Sequence, residues 1–363
     1  MNFSIYLIGT VIVFFLALVY YHQIAKHDYM IIFIVGFTWL LLMANNKGDN
    51  ITYEYIYLGA AQEDFDYKEF LFKTLCRVGD LYGLTFWQFK SVILFLALLL
   101  ICLSVKKYVN NIEFFFFLYL ISFVFIDSQV IRNFVAAAIF MFSVYFLQKK
   151  TVKNMIIFGI LLFLMYGIHS AFIAYSLCLI LYLDNRDKVV RVLFTLGSFL
   201  TLVTFIGGTK LTFIKAIISV FINDSRLTFL NTQTRFGAIP VILLYFFSIW
   251  LMWEFSIKSK KVTDEFKNSY ENTVFLLSMS MVIMLPLVVL NLAFYRIIKN
   301  ITLLCYCVMA GTYMKMKLLN SRVTIMFVSI ILAVGWLIFE TMIYGSYETV
   351  VDPVINGVLY WNL

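Results

Sequence analysis

Three side chains stand where an apolar chain has little reason to keep them: Arg132 in IDSQVIR, His169 in YGIHS and Arg296 in NLAFYRIIKN. An arginine at membrane depth costs roughly 2.5 to 3.5 kcal/mol unless it is paired or faces water. Arg132 therefore needs a partner. Asp127, earlier in the same apex, could supply one; an anion could equally, because a guanidinium fork suits phosphate or pyrophosphate. His169 is the one histidine outside the first inner loop, and Ser170 lies beside it. It is either a hydrogen-bonded packing residue or a ligand-binding or catalytic group. Arg296, at the start of an apolar run, either snorkels to the interface or binds an anion. Cations grouped this way can stabilise charge on a departing pyrophosphate without a metal. Asp49, Asp127 or His169 could take the proton of an incoming hydroxyl.

The elements that must position these groups are apolar. The residues are 63% hydrophobic and 13% charged, and the mean hydropathy is +0.93, which excludes a soluble protein. Runs at 3–21, 29–44, 91–105, 113–126, 133–148, 155–168, 170–183, 189–207, 238–256, 272–290, 297–314 and 323–343 predict an all-α polytopic membrane protein of about 12 transmembrane segments. The first run lacks a basic leader and a small-residue cleavage site, so it reads as a retained helix. The arms before Asp127 and His169 are each about 14 residues, short of the ~20 a straight span needs. They predict re-entrant-like hairpins whose polar apices lie at the floor of a bowl.

Alternating the connections puts Lys106, Lys107, Lys149, Lys150, Lys153, Arg186, Lys188, Arg191, Lys258, Lys260, Lys261, Lys315, Lys317 and Arg322 on one side. By the positive-inside rule that side is cytoplasmic. The outer side then carries two long loops, 45–90 and 208–236, and the whole of 1–363 reads as one domain. The first loop holds Asp49, Tyr53 and several further aromatics, either an interfacial belt or a sugar-stacking surface. Leu71, Leu75 and Val78 follow helical spacing, predicting an interfacial helix. The second holds Lys210, Lys215, Arg226 and Arg235, which call for lipid head groups or a phosphate-bearing ligand. The net charge of +8 is explained by this topology without a nucleic-acid partner. The five cysteines show neither a disulfide framework nor metal-ligand spacing, and no metal or other cofactor is expected.

Four stretches together resemble the Wzy/EpsG group of bacterial polysaccharide polymerases. GDNITYEYIY resembles their outer-loop Asp…Tyr motif and IRNFVAAAIFMFSVYFLQKK their arginine helix followed by a basic turn. GIHSAFIAY resembles their Ile-His motif, and YRIIKNITLL their late arginine-containing helix start. The similarity spans about 45–310. Asn133 stands where the family commonly has Gln, and Phe70 where Pro often follows the Glu that Glu69 matches.

The resemblance implies a glycosyltransferase of the bacterial cytoplasmic membrane with an outward-facing site. It would join undecaprenyl-pyrophosphate-linked oligosaccharide units and release undecaprenyl pyrophosphate, with a chain-length regulator as a further partner. Arg132 and Arg296 would hold pyrophosphate, His169 would orient or deprotonate at the reacting centre, and Asp49 with Tyr53 would touch acceptor or sugar. Asp127 is grouped with the substrate-binding residues, and Arg226 and Arg235 rest on the basic loop alone. The rival readings are a flippase for the same lipid-linked sugars and a membrane acyltransferase using His169. No internal repeat favours alternating access, and an acyltransferase would need His169 on the inner side.

Overall fold

The computed structural model describes residues 27–43, 49–60, 62, 67–109, 112–207, 235–258 and 264–344. Among them the chain is predominantly helical and contains no strand, as lipid demands of a backbone that must satisfy its own hydrogen bonds. The elements are α1 (His27–Leu42), α2 (Asp49–Ala60), α3 (Phe70–Leu81), α4 (Phe86–Lys106), α5 (Ile112–Ser122), α6 (Val124–Asp127), α7 (Ile131–Leu147) and α8 (Val152–Ile168). A 3₁₀ helix follows at Ser170–Tyr182, then α9 (Arg186–Gly207), α10 (Arg235–Met252), α11 (Tyr270–Ser280), α12 (Leu285–Leu290), α13 (Tyr295–Lys315) and α14 (Leu319–Ile338).

Among the described residues six helices are long and apolar enough to cross a membrane: Phe86–Lys106, Arg186–Gly207, Phe236–Ile257, Tyr270–Leu290, Leu292–Lys315 and Leu319–Tyr344. Five other expected runs form shorter helices, and the run 3–21 lies outside the described residues, as does 208–234. The expected loop 45–90 is instead largely helical, because α2, α3 and the start of α4 occupy it. Helix α3 buries Phe72, Cys76 and Gly79 on one face and exposes Val78 and Leu81 on the other, the amphipathic pattern of an interfacial helix.

The short helices α5 and α7 form the centre together with α11 and α13. All but one of the 11 residues of α5 are buried, as expected of a helix that is apolar all round. Helices α7 and α8 pack against one another, and α4 lies along α7. The 13-residue 3₁₀ helix rises about 2 Å per residue and so extends about 26 Å, where an α-helix of that length would cover about 20 Å. A run too short to cross as α-helix thereby gains reach.

The two ends of the bundle differ in charge. At one end Lys107 lies over the rings of Phe142 and Tyr145 at 4.5 and 4.4 Å. There too Gln148 donates to the Tyr108 hydroxyl at 2.9 Å, Lys150 pairs with Asp184 at 3.6 Å, Arg186 donates to the Lys267 carbonyl, and Lys315 pairs with Glu271. The opposite end gathers the first turns of α2, α3, α7 and α13 and the last turns of α8 and α14. Helix polarity therefore puts Arg132, His169 and Arg296 together, away from the basic connections.

Close backbone approach locks α9 in place. A Cβ at Gly197 would lie 2.5 Å from the Ile283 nitrogen and 2.7 Å from its Cα. Ile283 belongs to a 3₁₀ turn, Met281–Met284, that precedes Pro286. Proline lacks an N–H and collides with the carbonyl four residues back, which tightens the helix at that point. Small residues permit such contacts between membrane helices. Gly197→Ala should therefore cost about 1 to 3 kcal/mol by overpacking, whereas Gly159→Ala, with nothing within 4 Å, should be neutral. Thermal unfolding of the two purified variants in detergent checks the contrast.

Candidate active site at the arginine end

Arg132 occupies the first turn of α7, after the break at Ser128–Val130 that separates α6 from α7. Its guanidinium pairs with Glu69 at 3.2 Å and donates to the Tyr67 hydroxyl. The rings of Tyr53 and Tyr67 lie 5.3 and 5.6 Å from Cζ, within cation–π range. Burial pushes the Tyr67 phenol above its ordinary range, while Arg132 beside it acts in the opposite sense. Tyr67 thus stays protonated as a neutral acceptor.

Glu69 reaches Arg132 because of a glycine. A Cβ at Gly167 would lie 2.9 Å from Leu71 Cβ and 2.7 Å from the Phe70 ring, so the start of α3 sits directly on the last turn of α8. Phe70 also packs on Phe163, with ring centroids 5.3 Å apart. This close seat brings Glu69 to Ser170, whose hydroxyl donates to Oε1 at 3.1 Å. His169 is half-buried in extended backbone between α8 and the 3₁₀ helix, its ring 5.9 Å from Phe172. Ser170, Glu69 and Arg132 therefore connect the histidine apex to the arginine apex.

Arg296 lies in the first turn of α13. It donates to the Tyr344 hydroxyl at 3.1 Å, and Tyr53 and Asp49 act on its charge from α2. Among the described residues it has no carboxylate within salt-bridge distance. The Nε–H groups of both Arg132 and Arg296 are buried without an acceptor among those residues. Both guanidinium groups thus keep unused hydrogen-bonding capacity, Arg132 over the Tyr53 ring and Arg296 over the Tyr344 ring.

A second polar layer lies below. Asp127 pairs with Lys299 and accepts from the Tyr119 hydroxyl at 3.2 Å; both charged side chains are almost wholly buried. Asn133 and Asn300 exchange reciprocal amide bonds at 3.4 and 3.3 Å. Glu340 accepts from Tyr295 at 3.4 Å and acts electrostatically on Lys299, Asp127 and Arg296.

Of the residues singled out from sequence, Arg132, Tyr53, Arg296 and Asp49 converge, and His169 joins them through Ser170. Asp127 does not pair with Arg132; its partner is Lys299, far along the chain, and it lies in the lower layer. Arg235 begins α10 at this same end, where a Cβ on Gly237 would sit 3.4 Å from Leu292. Arg226 is outside the described residues. Sequence reasoning missed Tyr67 and Glu69 as partners of Arg132, and Lys299, Glu340 and Tyr344 entirely. One signal was available: Lys299 and Glu340 are charges within apolar runs, and such charges demand partners.

Membrane-crossing helices around a recessed pair of arginines define a multi-pass membrane protein with a polar site at one end of its bundle. The EpsG family model matches residues 28–349, most of the chain, and this protein belongs to that family. Membership carries a polysaccharide-polymerase-type role and glycosyltransferase-like chemistry in general terms, in a family of the bacterial inner membrane. No curated protein and no solved structure gave a significant match to the sequence.

The ion pair between Arg132 and Glu69 has a measurable consequence. Removing one partner of a buried pair costs about 3 to 5 kcal/mol, whereas removing both charges is far milder. Arg132→Ala should therefore destabilise the protein strongly, and Glu69→Gln combined with Arg132→Ala should recover most of the loss. Unfolding midpoints of the single and double variants in detergent provide the test.

Proposed function

We propose that this protein is a polysaccharide repeat-unit polymerase that transfers a growing chain from its isoprenoid pyrophosphate carrier to the next lipid-linked unit. The observation that carries the reading is the pair of recessed arginines at one end of the bundle, each with a buried Nε–H that has no acceptor among the described residues. An amphiphile fits such a place: its pyrophosphate meets Arg132 and Arg296 while its tail stays in the bilayer. Undecaprenyl pyrophosphate is the carrier we assign, with the site facing outward. The segregation of Lys107, Lys150, Arg186 and Lys315 to the opposite end supports that orientation, since basic connections favour the cytoplasm.

The reaction is a displacement. A hydroxyl oxygen of the acceptor unit bonds to the anomeric carbon of the donor sugar as the bond from that carbon to the pyrophosphate oxygen breaks. The bonding pair leaves on pyrophosphate, and the hydroxyl proton passes to a base. Arg132 and Arg296 stabilise the leaving charge, which grows in the transition state and so favours preorganised donors. His169 or Asp49 serves as the base, and Tyr53, beside Arg132, packs against a sugar or the pyrophosphate-linked carbon. Asp127 acts from below, through Lys299, and Arg235 is assigned to the substrate.

Arg132→Lys and Arg296→Lys keep the charge and lose the bidentate fork, so protein level should hold while polymer falls by at least about tenfold, roughly one lost charge-assisted hydrogen bond. Size separation of surface glycans from a deletion strain complemented with each variant checks this. The deletion should leave single capped units in place of a ladder. Lipid-linked units trapped on the inner face of the membrane would instead support a flippase.

A further inference from the structure

The lower polar layer has a function beyond neutralising its own charges. Arg132 belongs to the chain segment that also carries Asp127 and Asn133; Arg296 belongs to the helix that also carries Lys299 and Asn300. The segment and the helix are joined twice: Asp127 to Lys299, and Asn133 to Asn300 in both directions, at 3.4 and 3.3 Å. On α13, positions 296, 299 and 300 share one face, since residues three and four apart are neighbours on a helix. Lys299 and Asn300 therefore lie within about one helical turn, ~5 Å, of Arg296, while Asn133 is next to Arg132 in α7 and Asp127 stands just before the break that precedes it. All four clamp residues are buried, and Tyr119 donates to Asp127 at 3.2 Å. The Tyr175 hydroxyl donates at 2.9 Å to the Ile297 carbonyl of the same turn.

Such an arrangement fixes the relative height and separation of the two backbone segments from which Arg132 and Arg296 project. We propose that Asp127, Lys299, Asn133 and Asn300 are positioning residues that set the spacing between Arg132 and Arg296 to match the two phosphates of a pyrophosphate, giving selectivity for diphosphate over monophosphate lipids. The proposal rests on the reading of those arginines as the pyrophosphate site. A pair at fixed spacing holds both phosphates of a diphosphate, whereas a monophosphate engages one arginine at a time. Loss of the clamp removes this discrimination and leaves monophosphate binding largely as it was. A layer that only held the helices together would affect both ligands alike.

The test uses full-length protein in nanodiscs of phosphatidylethanolamine and phosphatidylglycerol, with farnesyl pyrophosphate and farnesyl monophosphate as probes. Wild type should bind the pyrophosphate at least about tenfold more tightly, the worth of one charge-assisted hydrogen bond. The neutral pair Asp127→Asn with Lys299→Met avoids leaving a lone buried charge. It should bring the ratio to within about twofold of unity, with monophosphate affinity changed less than about threefold. Asn300→Ser keeps both charges, carries the test if the double variant does not fold, and should lower the ratio by about threefold. An unchanged ratio in a folded variant overturns the clamp. A wild type with no diphosphate preference, or a preference that survives Arg296→Lys, overturns the pyrophosphate site itself and the clamp with it.

Discussion

A charge below the surface of a bilayer has to be neutralised by the protein that carries it, because lipid offers neither counter-ions nor hydrogen bonds. The centre of this structure follows from that constraint. Asp127 and Lys299 are both almost wholly buried, and neither could remain charged alone. Their pairing requires α6 and α13 to meet, and Asn133 with Asn300 requires α7 to continue along the same contact. Around this junction α5, α7, α11 and α13 form the core, and Arg132 and Arg296 lie one layer higher. Glu69 continues the same logic one layer higher, as a buried carboxylate placed against the guanidinium that needs it.

A buried ion pair is weak grounds for stability, since apolar replacements of similar volume often stabilise a protein. Its persistence at the centre of a membrane protein is better explained by geometry. The same argument separates the two arginines. Arg132 is already matched to Glu69 and Tyr67, while Arg296 has tyrosines and a more distant acidic group. A ligand carrying two negative charges would complete Arg296 and share Arg132, so the site is nearer to electrical balance when occupied.

Much of this was legible in the sequence. The apices at IDSQVIR and YGIHS were visible as polar interruptions in apolar runs, and they mark the helix breaks before α7 and after α8. The spacing of Leu71, Leu75 and Val78 anticipated α3. Pairings were harder to read, since nothing local tells Asp127 to choose Lys299 over the arginine five residues away. Gly167 read as part of a polar apex; its role as the seat for α3 depends on a neighbour about a hundred residues away in sequence. The stretch 45–90 looked like a loop because its carboxylates and tyrosines break the hydropathy, although its helices bury Tyr53, Tyr57 and Phe72. The 3₁₀ course of Ser170–Tyr182 had no signal in composition at all.

The most direct measurement is reconstitution. Purified protein in proteoliposomes, supplied with a synthetic lipid-pyrophosphate-linked repeat unit, should lengthen the glycan and release one lipid pyrophosphate for each linkage formed. That stoichiometry ties bond formation to the leaving group the arginines are placed to receive. Movement of intact units across the bilayer, with no elongation and no released lipid pyrophosphate, would contradict the account.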